Sequence, residues 1–291
     1  MTRPSLLDII GAAHNDYEQV IAGSAGSAPS LTVIVAWYRG EAFLPYLAAG
    51  LNGQSDQDFE LVLVDDDPTH PFAEESLTAF TKQPSVLRHD RNHGSPCAKN
   101  TGLRFAATDA VLFLDQDMVL SPHAIRDLRA KLALGANVVA VGFRGTAVPQ
   151  DGQLPLARLD DDWRVAVTPD ETYLPATSSR PVPDAKPALR TYRLLEESEE
   201  FRAFGYGRVI GLWDLPVMVV GHTLTAHTRL LRAAGGFPES LIGWGTDDTA
   251  LGAFLIAKGA LIVPATEVVS TQVSHQPWSG SRQIQDRKSV V

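Results

Sequence analysis

Apolar residues along the first 145 positions follow two alternating patterns, short continuous runs and stretches of helical spacing. Leu31 to Trp37 (LTVIVAW), Glu60 to Val64 (ELVLV), Ala110 to Leu114 (AVLFL) and Asn137 to Phe143 (NVVAVGF) are strand-length runs rich in Val, Ile and Leu. That is the pattern of strands buried on both faces. Ser85 to Arg88 is a weaker strand, and helices are predicted over residues 43–52, 72–82, 97–107 and 122–133. Strand–helix alternation at this pitch predicts an α/β fold, a mostly parallel sheet with helices on both faces. Sheets of this kind bind ligands beyond the carboxyl ends of their strands.

The flanking patterns differ. Residues 5–22 place Leu6, Ile9, Ile10, Ala13, Tyr17, Val20 and Ile21 at helical spacing, and Gly23 to Pro29 reads as a flexible linker. From Thr146 to about Pro187 periodicity disappears, and a loop of that length in a folded domain is usually functional or disordered. Helices are predicted again over 188–204, 224–234 and 249–258, with a strand over 260–263.

Composition narrows the function classes. The 291 residues carry 25 Lys and Arg against 34 Asp and Glu, a net charge of −9. Such a chain has no means of neutralising a phosphate backbone, so nucleic acid is not an expected partner. No run of 18 apolar residues exists, so no transmembrane segment is expected. The N-terminus does not read as a signal peptide. Cys97 is the single cysteine, which excludes an internal disulfide and a multi-cysteine zinc site and points to a reducing, cytoplasmic location.

The acid is mostly aspartate, 22 Asp against 12 Glu, so its placement matters. Chance predicts roughly 1.7 D-x-D spacings at this content, and four occur. Asp115 and Asp117 stand apart because they directly follow the buried run LFL. A strand would deliver both to the ligand edge, where their mutual repulsion favours a divalent cation shared with substrate phosphates. The competing reading is a solvated turn that caps the next helix. Asp65-Asp66-Asp67-Pro68 ends the second strand, where an acid commonly meets a nucleoside, although Asp-Pro is also plain turn chemistry. Asp247 and Asp248 open a predicted helix, a placement that the helix dipole alone would favour.

The runs VIVAWYRGEAFLPYL, FELVLVDDD, NHGSPCAKNTGL and AVLFLDQD, in this order across residues 31–145, resemble a family 2 glycosyltransferase of the GT-A fold. The piece RLLRAAGGFPESLIGWGTDDTALGAFLIAKGA resembles the G-W-G-x-E-D block of β-1,4-galactosyltransferases and polypeptide N-acetylgalactosaminyltransferases. The resemblance implies a Rossmann-like GT-A sheet with an acceptor-side insertion. It divides the chain into an N-terminal helix and linker (1–30), a nucleotide-sugar-binding half (31–145), an acceptor-binding half (146–278) with a long insertion (146–210), and a tail (279–291).

The resemblance also implies roles. Tyr38 and Asp66, or Asp65, would hold the nucleoside, with Lys99 where the family often has an arginine. Asp115 would face ribose or metal, and Asp117 would ligate a Mn²⁺ or Mg²⁺ bridging the diphosphate of a UDP-linked sugar. Trp244 and Gly245 would line the acceptor, a small molecule, glycan or peptide. Asp248 would be the general base and Asp247 its neighbour. His275 would be the third metal ligand, against the competitors His222 and His227. Two departures stand out: Asp-Asp-Asp-Pro replaces Asp-Asp-Gly-Ser, and Asp247-Asp248 replaces Glu-Asp, which leaves the base assignment able to swap. The implied reaction is metal-dependent, inverting transfer of a sugar.

Two other classes stay open. A nucleotidyltransferase would need a Gly-rich phosphate loop after the first strand, and VAWYRGEAF has none. A catalytically silent GT-A binding module would have no need of both Asp117 and Asp248.

Overall fold

The computed structural model describes residues 26–151, 153–155, 216–241 and 246–274. The predicted helices at 5–22 and 188–204 and most of the loop from Thr146 lie outside them. The sheet is built around β1 (Leu31–Trp37), which pairs in parallel with β2 (Glu60–Asp65) on one side and β4 (Ala110–Asp115) on the other. β3 (Ser85–Arg88) extends the β2 edge, also in parallel. The apolar runs of β1 and β4 are almost wholly buried, as expected for strands covered on both faces.

Beyond β4 the sheet changes direction. β7 (Thr223–His227) pairs antiparallel with both β4 and β6 (Val138–Ala147), and β6 pairs in parallel with β8 (Leu261–Val273). β5 (Met118–Val119) closes the edge against β8, giving eight strands in the order β3-β2-β1-β4-β7-β6-β8-β5. Helices α1 (Leu44–Asn52), α2 (Ser95–Phe105), α3 (Ala124–Leu132), α4 (Thr228–Ala234) and α5 (Asp247–Ala257) cover it.

Several expectations need correction. The helix expected over 72–82 is a 3-10 turn at Glu74–Ala79. The helix expected over 224–234 starts only at Thr228. Thr223–His227 is a strand because it fills the slot between β4 and β6, and pairing on both sides overrides the apolar spacing. The short strands expected at 137–143 and 260–263 both run further, because β6 and β8 stay paired to Ala147 and Val273 across a register shift at Gly142/Phe143. Among the described residues no helix is long and apolar enough to cross a membrane.

β1 lies between β2 and β4, so the connections leaving the two sides of β1 diverge and open a crevice at the strands' carboxyl ends. The register sets Trp37 opposite Asp65 and Ala36 opposite Asp115, which brings both acidic motifs to that edge.

Candidate active site

The three aspartates at the end of β2 are buried, and each has a different set of partners. Asp65 Oδ2 accepts from the Phe72 amide (2.7 Å) and Arg88 Nη1 (3.0 Å). Asp66 holds the loop after β3: Oδ1 lies 2.7 Å from His89 Nδ1 and accepts from the His93 amide (2.9 Å), while Oδ2 accepts from the Gly94 amide (2.7 Å). Asp67 accepts from Arg39 Nε (2.7 Å) and from the Thr69 hydroxyl and amide. The Thr69 hydroxyl and then Arg39 hold the Asp67 carboxyl well below the usual range. Tyr38 is half-buried at the end of β1, beside this group.

Asp115 ends β4, and Asp117 follows it in the tight turn before β5. Asp117 Oδ2 accepts from Gln272 Nε2 (2.8 Å), and the Asp117 carbonyl accepts from the Val273 amide (2.8 Å). Gln272 is in turn bonded by Arg144 Nη1 (2.9 Å). Two carboxylates on one turn are hard oxygen donors suited to Mg²⁺ or Mn²⁺ in type. Among the described residues no three His, Cys, Asp or Glu side chains converge as a metal-holding group. His275, Trp244 and Gly245 lie outside the described residues.

Lys99 Nζ forms an ion pair with Asp115 Oδ1 at 3.0 Å and lies 5.1 Å from the centre of the Phe237 ring. Only 3% of Lys99 is exposed, a burial that an ammonium tolerates only beside negative charge. Burial alone would push its pKa down, but Asp115, Asp248 and Asp247 outweigh this and hold it charged. The same exchange operates on Asp115: burial pushes its carboxyl up, and the Lys99 ammonium brings it below the usual range. Lys99 thus joins Asp115, at the end of β4, to the acidic pair in the first turn of α5.

Asp248 is the exception in this cluster. Its Oδ1 is buried without a hydrogen-bond partner among the described residues. Burial raises its pKa to about 6, with Lys99 opposing the rise and Asp247 and Asp115 adding to it; a hydrogen bond from the Gly221 amide to the carboxyl also opposes it. Gly221 is what admits this arrangement. A Cβ there would overlap Asp248 Oδ1 and come within 3.0 Å of Lys99 Nζ.

Three further positions belong to the site although sequence reasoning did not select them. Gly221 has no mark in a single sequence. Asn100 donates to the Phe237 carbonyl (2.7 Å) and accepts from the Phe237 amide (2.8 Å), so α2 fixes the turn before Pro238 that supports the Lys99 pocket. Gln116, the middle residue of the D-x-D, bonds the backbone of Tyr38. Both amides adjoin residues that were selected, and that adjacency was the available signal.

Residues 32–183, more than half of the chain, match the model of the family described as Glycosyl transferase family 2. The chain belongs to this family. Validoxylamine A glucosyltransferase of Streptomyces hygroscopicus subsp. limoneus is 26% identical to this family 2 chain over 264 residues, covering 87% of it and 54% of the relative. Among solved structures, GalNAc-T7 with UDP, GalNAc and Mn²⁺ superposes with a TM-score of 0.60 at 14% identity, over 97% of this chain and 54% of that one. The mannosyltransferase PcManGT of Pyrobaculum calidifontis, with GDP-Man and Mn²⁺, gives a TM-score of 0.53 at 15% identity, over 97% and 70%. These likenesses establish the GT-A fold of the family 2 chain, α/β with a mostly parallel sheet. The chain spans about half, or less, of the length of the curated relatives it matches.

Proposed function

We propose that this family 2 chain is an inverting glycosyltransferase that moves a sugar from a nucleotide-sugar donor, UDP-linked, to an acceptor hydroxyl, with Asp248 as general base. One observation carries the reading: a carboxylate with a raised pKa and a buried oxygen unpartnered among the described residues faces the same lysine as the D-x-D carboxylate. A base of this kind is basic enough to take a proton and still ionised at neutral pH. The acceptor oxygen attacks the anomeric carbon as its proton passes to Asp248. The bond from that carbon to the diphosphate oxygen breaks, and the diphosphate leaves with the electron pair. Attack opposite the leaving group inverts the centre.

Tyr38 and the buried Asp65 and Asp66 form the nucleoside side of this reading. Asp115 and Asp117 would hold a divalent metal. His275 is the third ligand proposed, supported by the Val273–Asp117 bond that brings the chain to the turn two residues earlier. When bound, such a metal supplies positive charge to the departing diphosphate. Lys99 stays protonated and offsets part of the negative charge of Asp115 and Asp248. Asp247 binds acceptor hydroxyls, and Trp244 and Gly245 line the acceptor, a small molecule, glycan or peptide. The GalNAc-T7 and PcManGT structures, crystallised with Mn²⁺, support the metal assignment in kind. The single cysteine agrees with a cytoplasmic setting.

The test is a thermal-shift panel of nucleotide-sugars with Mn²⁺, followed by donor hydrolysis with and without the metal, because a ligand that binds only the native state raises its melting temperature. A shift with hydrolysis supports the reading. A shift without turnover under any condition replaces it with a binding module, and no shift with any donor overturns it.

A further inference from the structure

Backbone pairing between β1 and β4 stops at Ala36 and Asp115. The next contact between these elements is made by a side chain. Gln116 Oε1 accepts from the Tyr38 amide at 2.8 Å, and Gln116 Nε2 donates to the Tyr38 carbonyl at 3.0 Å. One carboxamide therefore does for Tyr38 what a neighbouring strand would do, satisfying donor and acceptor together.

The following residue explains why a side chain is needed. Arg39 has φ +52°, a left-handed conformation that is unfavourable for a non-glycine residue, so β1 cannot continue as a strand. Arg39 is held on the other side, where its Nε donates to Asp67 Oδ2 at 2.7 Å, and its guanidinium lies 5.1 Å from the centre of the Tyr38 ring. Gly40 completes the arrangement. A Cβ there would stand 2.6 Å from Gln116 Oε1, 2.9 Å from its Cδ and 3.1 Å from the Trp37 ring, so a larger residue would push the carboxamide from its place. The tripeptide Tyr38-Arg39-Gly40 is thus gripped by the D-x-D turn and by the aspartate triplet at once. Strain kept at a ligand edge by contacts on both sides is a mark of preorganisation.

We propose that Gln116 is a positioning residue, whose carboxamide fixes the Tyr38 loop relative to the Asp115/Asp117 turn so that the nucleotide side and the diphosphate side of the cleft are held in one geometry. The inference rests on the nucleotide-sugar reading of this cleft and adds a residue and a coupling to it. Gln116 does not touch the donor. It acts through the Tyr38 backbone.

The test measures the affinity of the full chain for UDP, GDP and dTDP, with Mn²⁺ present throughout, for wild type, Gln116→Ala, Gly40→Ala and the double variant. Each single change should weaken the tightest nucleotide about tenfold, the effect of losing two ordinary hydrogen bonds. The double variant should lose far less than the sum of the two single losses, because the carboxamide atoms that the methyl group added at position 40 would strike are gone and only its contact with the Trp37 ring, at 3.1 Å, remains. Gln116→Glu keeps the acceptor for the Tyr38 amide and loses the donor, so it should fall between wild type and Gln116→Ala. Additive losses, or single variants that bind like wild type, overturn the proposal.

Amide hydrogen exchange reports on the clamp without any ligand. In Gln116→Ala the Tyr38 amide should lose protection about tenfold while Ile34 and Val35 keep theirs. Equal protection of Tyr38 in both proteins also overturns the proposal. If wild type binds none of the three nucleotides, the nucleotide-sugar reading fails, and the exchange measurement decides the clamp by itself.

Discussion

The aspartates after β2 and Asp248 in the first turn of α5 both carry buried carboxylate oxygens at one sheet edge, yet they are treated in opposite ways. Asp65, Asp66 and Asp67 are saturated with donors from their own chain, six of them backbone amides, those of Asp67, Thr69, His70, Phe72, His93 and Gly94. Asp248 has a buried oxygen without a hydrogen-bond partner among the described residues and a pKa of about 6. Saturated carboxylates build loops, whereas an unsatisfied one is destabilising and persists where chemistry needs it. The first group makes the shape of the cleft, and the second is left ready to react.

The comparison can be broken most decisively at Asp248. Asp248→Asn should lower sugar transfer by about 10² to 10⁴-fold, the range expected of a general base, while leaving nucleotide affinity unchanged. It should also raise Tm at pH 8, because it removes a charge from a poorly solvated site. Near-normal transfer would move the base to Asp247. The second test removes a saturated acid. Asp66→Ala leaves the His93 and Gly94 amides and His89 without their acceptor and should lower stability by roughly 2–4 kcal/mol in urea denaturation. A loss within error would mean that these bonds do not build the loop.

The third test is titration, where the two regions have opposite signs. The Asp248 pKa is raised in the folded state, so the stability that its protonated form contributes is present below about pH 4 and is lost as pH rises through about 6. The stability gap between wild type and Asp248→Asn should therefore open over that interval, while transfer activity falls as pH drops below about 6. The Asp67 pKa is depressed, so its contribution is present above about pH 4 and is lost on acidification below it. The smallest effect is expected of Asp67→Asn at neutral pH. Arg39 is half exposed and solvent screens its pairing with Asp67. A fall in Tm matching that of Asp66→Ala would show that the triplet acts as one unit.

Much of the sheet was legible because parallel strands buried on both faces need apolar residues at nearly every position, and LTVIVAW, ELVLV and AVLFL have them. The acidic motifs were legible because each directly follows or precedes such an element. Thr223–His227 was misread, since a strand with three polar residues takes its identity from the neighbours on either side. The same holds for the far half of β8. Lys99 was legible as a site residue, but its pairing with Asp115 and approach to Asp248 arise only when α2 and α5 meet over the sheet. Gly221 and the amides of Gln116 and Asn100 act through contacts that leave no local pattern.

The insertion of β7 between β4 and β6 has a consequence for how the chain acquires its structure. β1 to β4 can pair as soon as residues 31–115 are available, but Ala110 on β4 finds its partner only in His227, more than a hundred residues later. Until then a strand whose apolar residues are all fully buried in the finished sheet presents an open edge, the kind of surface that recruits foreign strands. Closure by so distant a segment is slow, because the intervening loop must be drawn in before any contact compensates for it. If residues 31–115 pair before β7 arrives, the part that carries both acidic motifs is shaped but unsealed, and aggregation then competes with completion of the sheet.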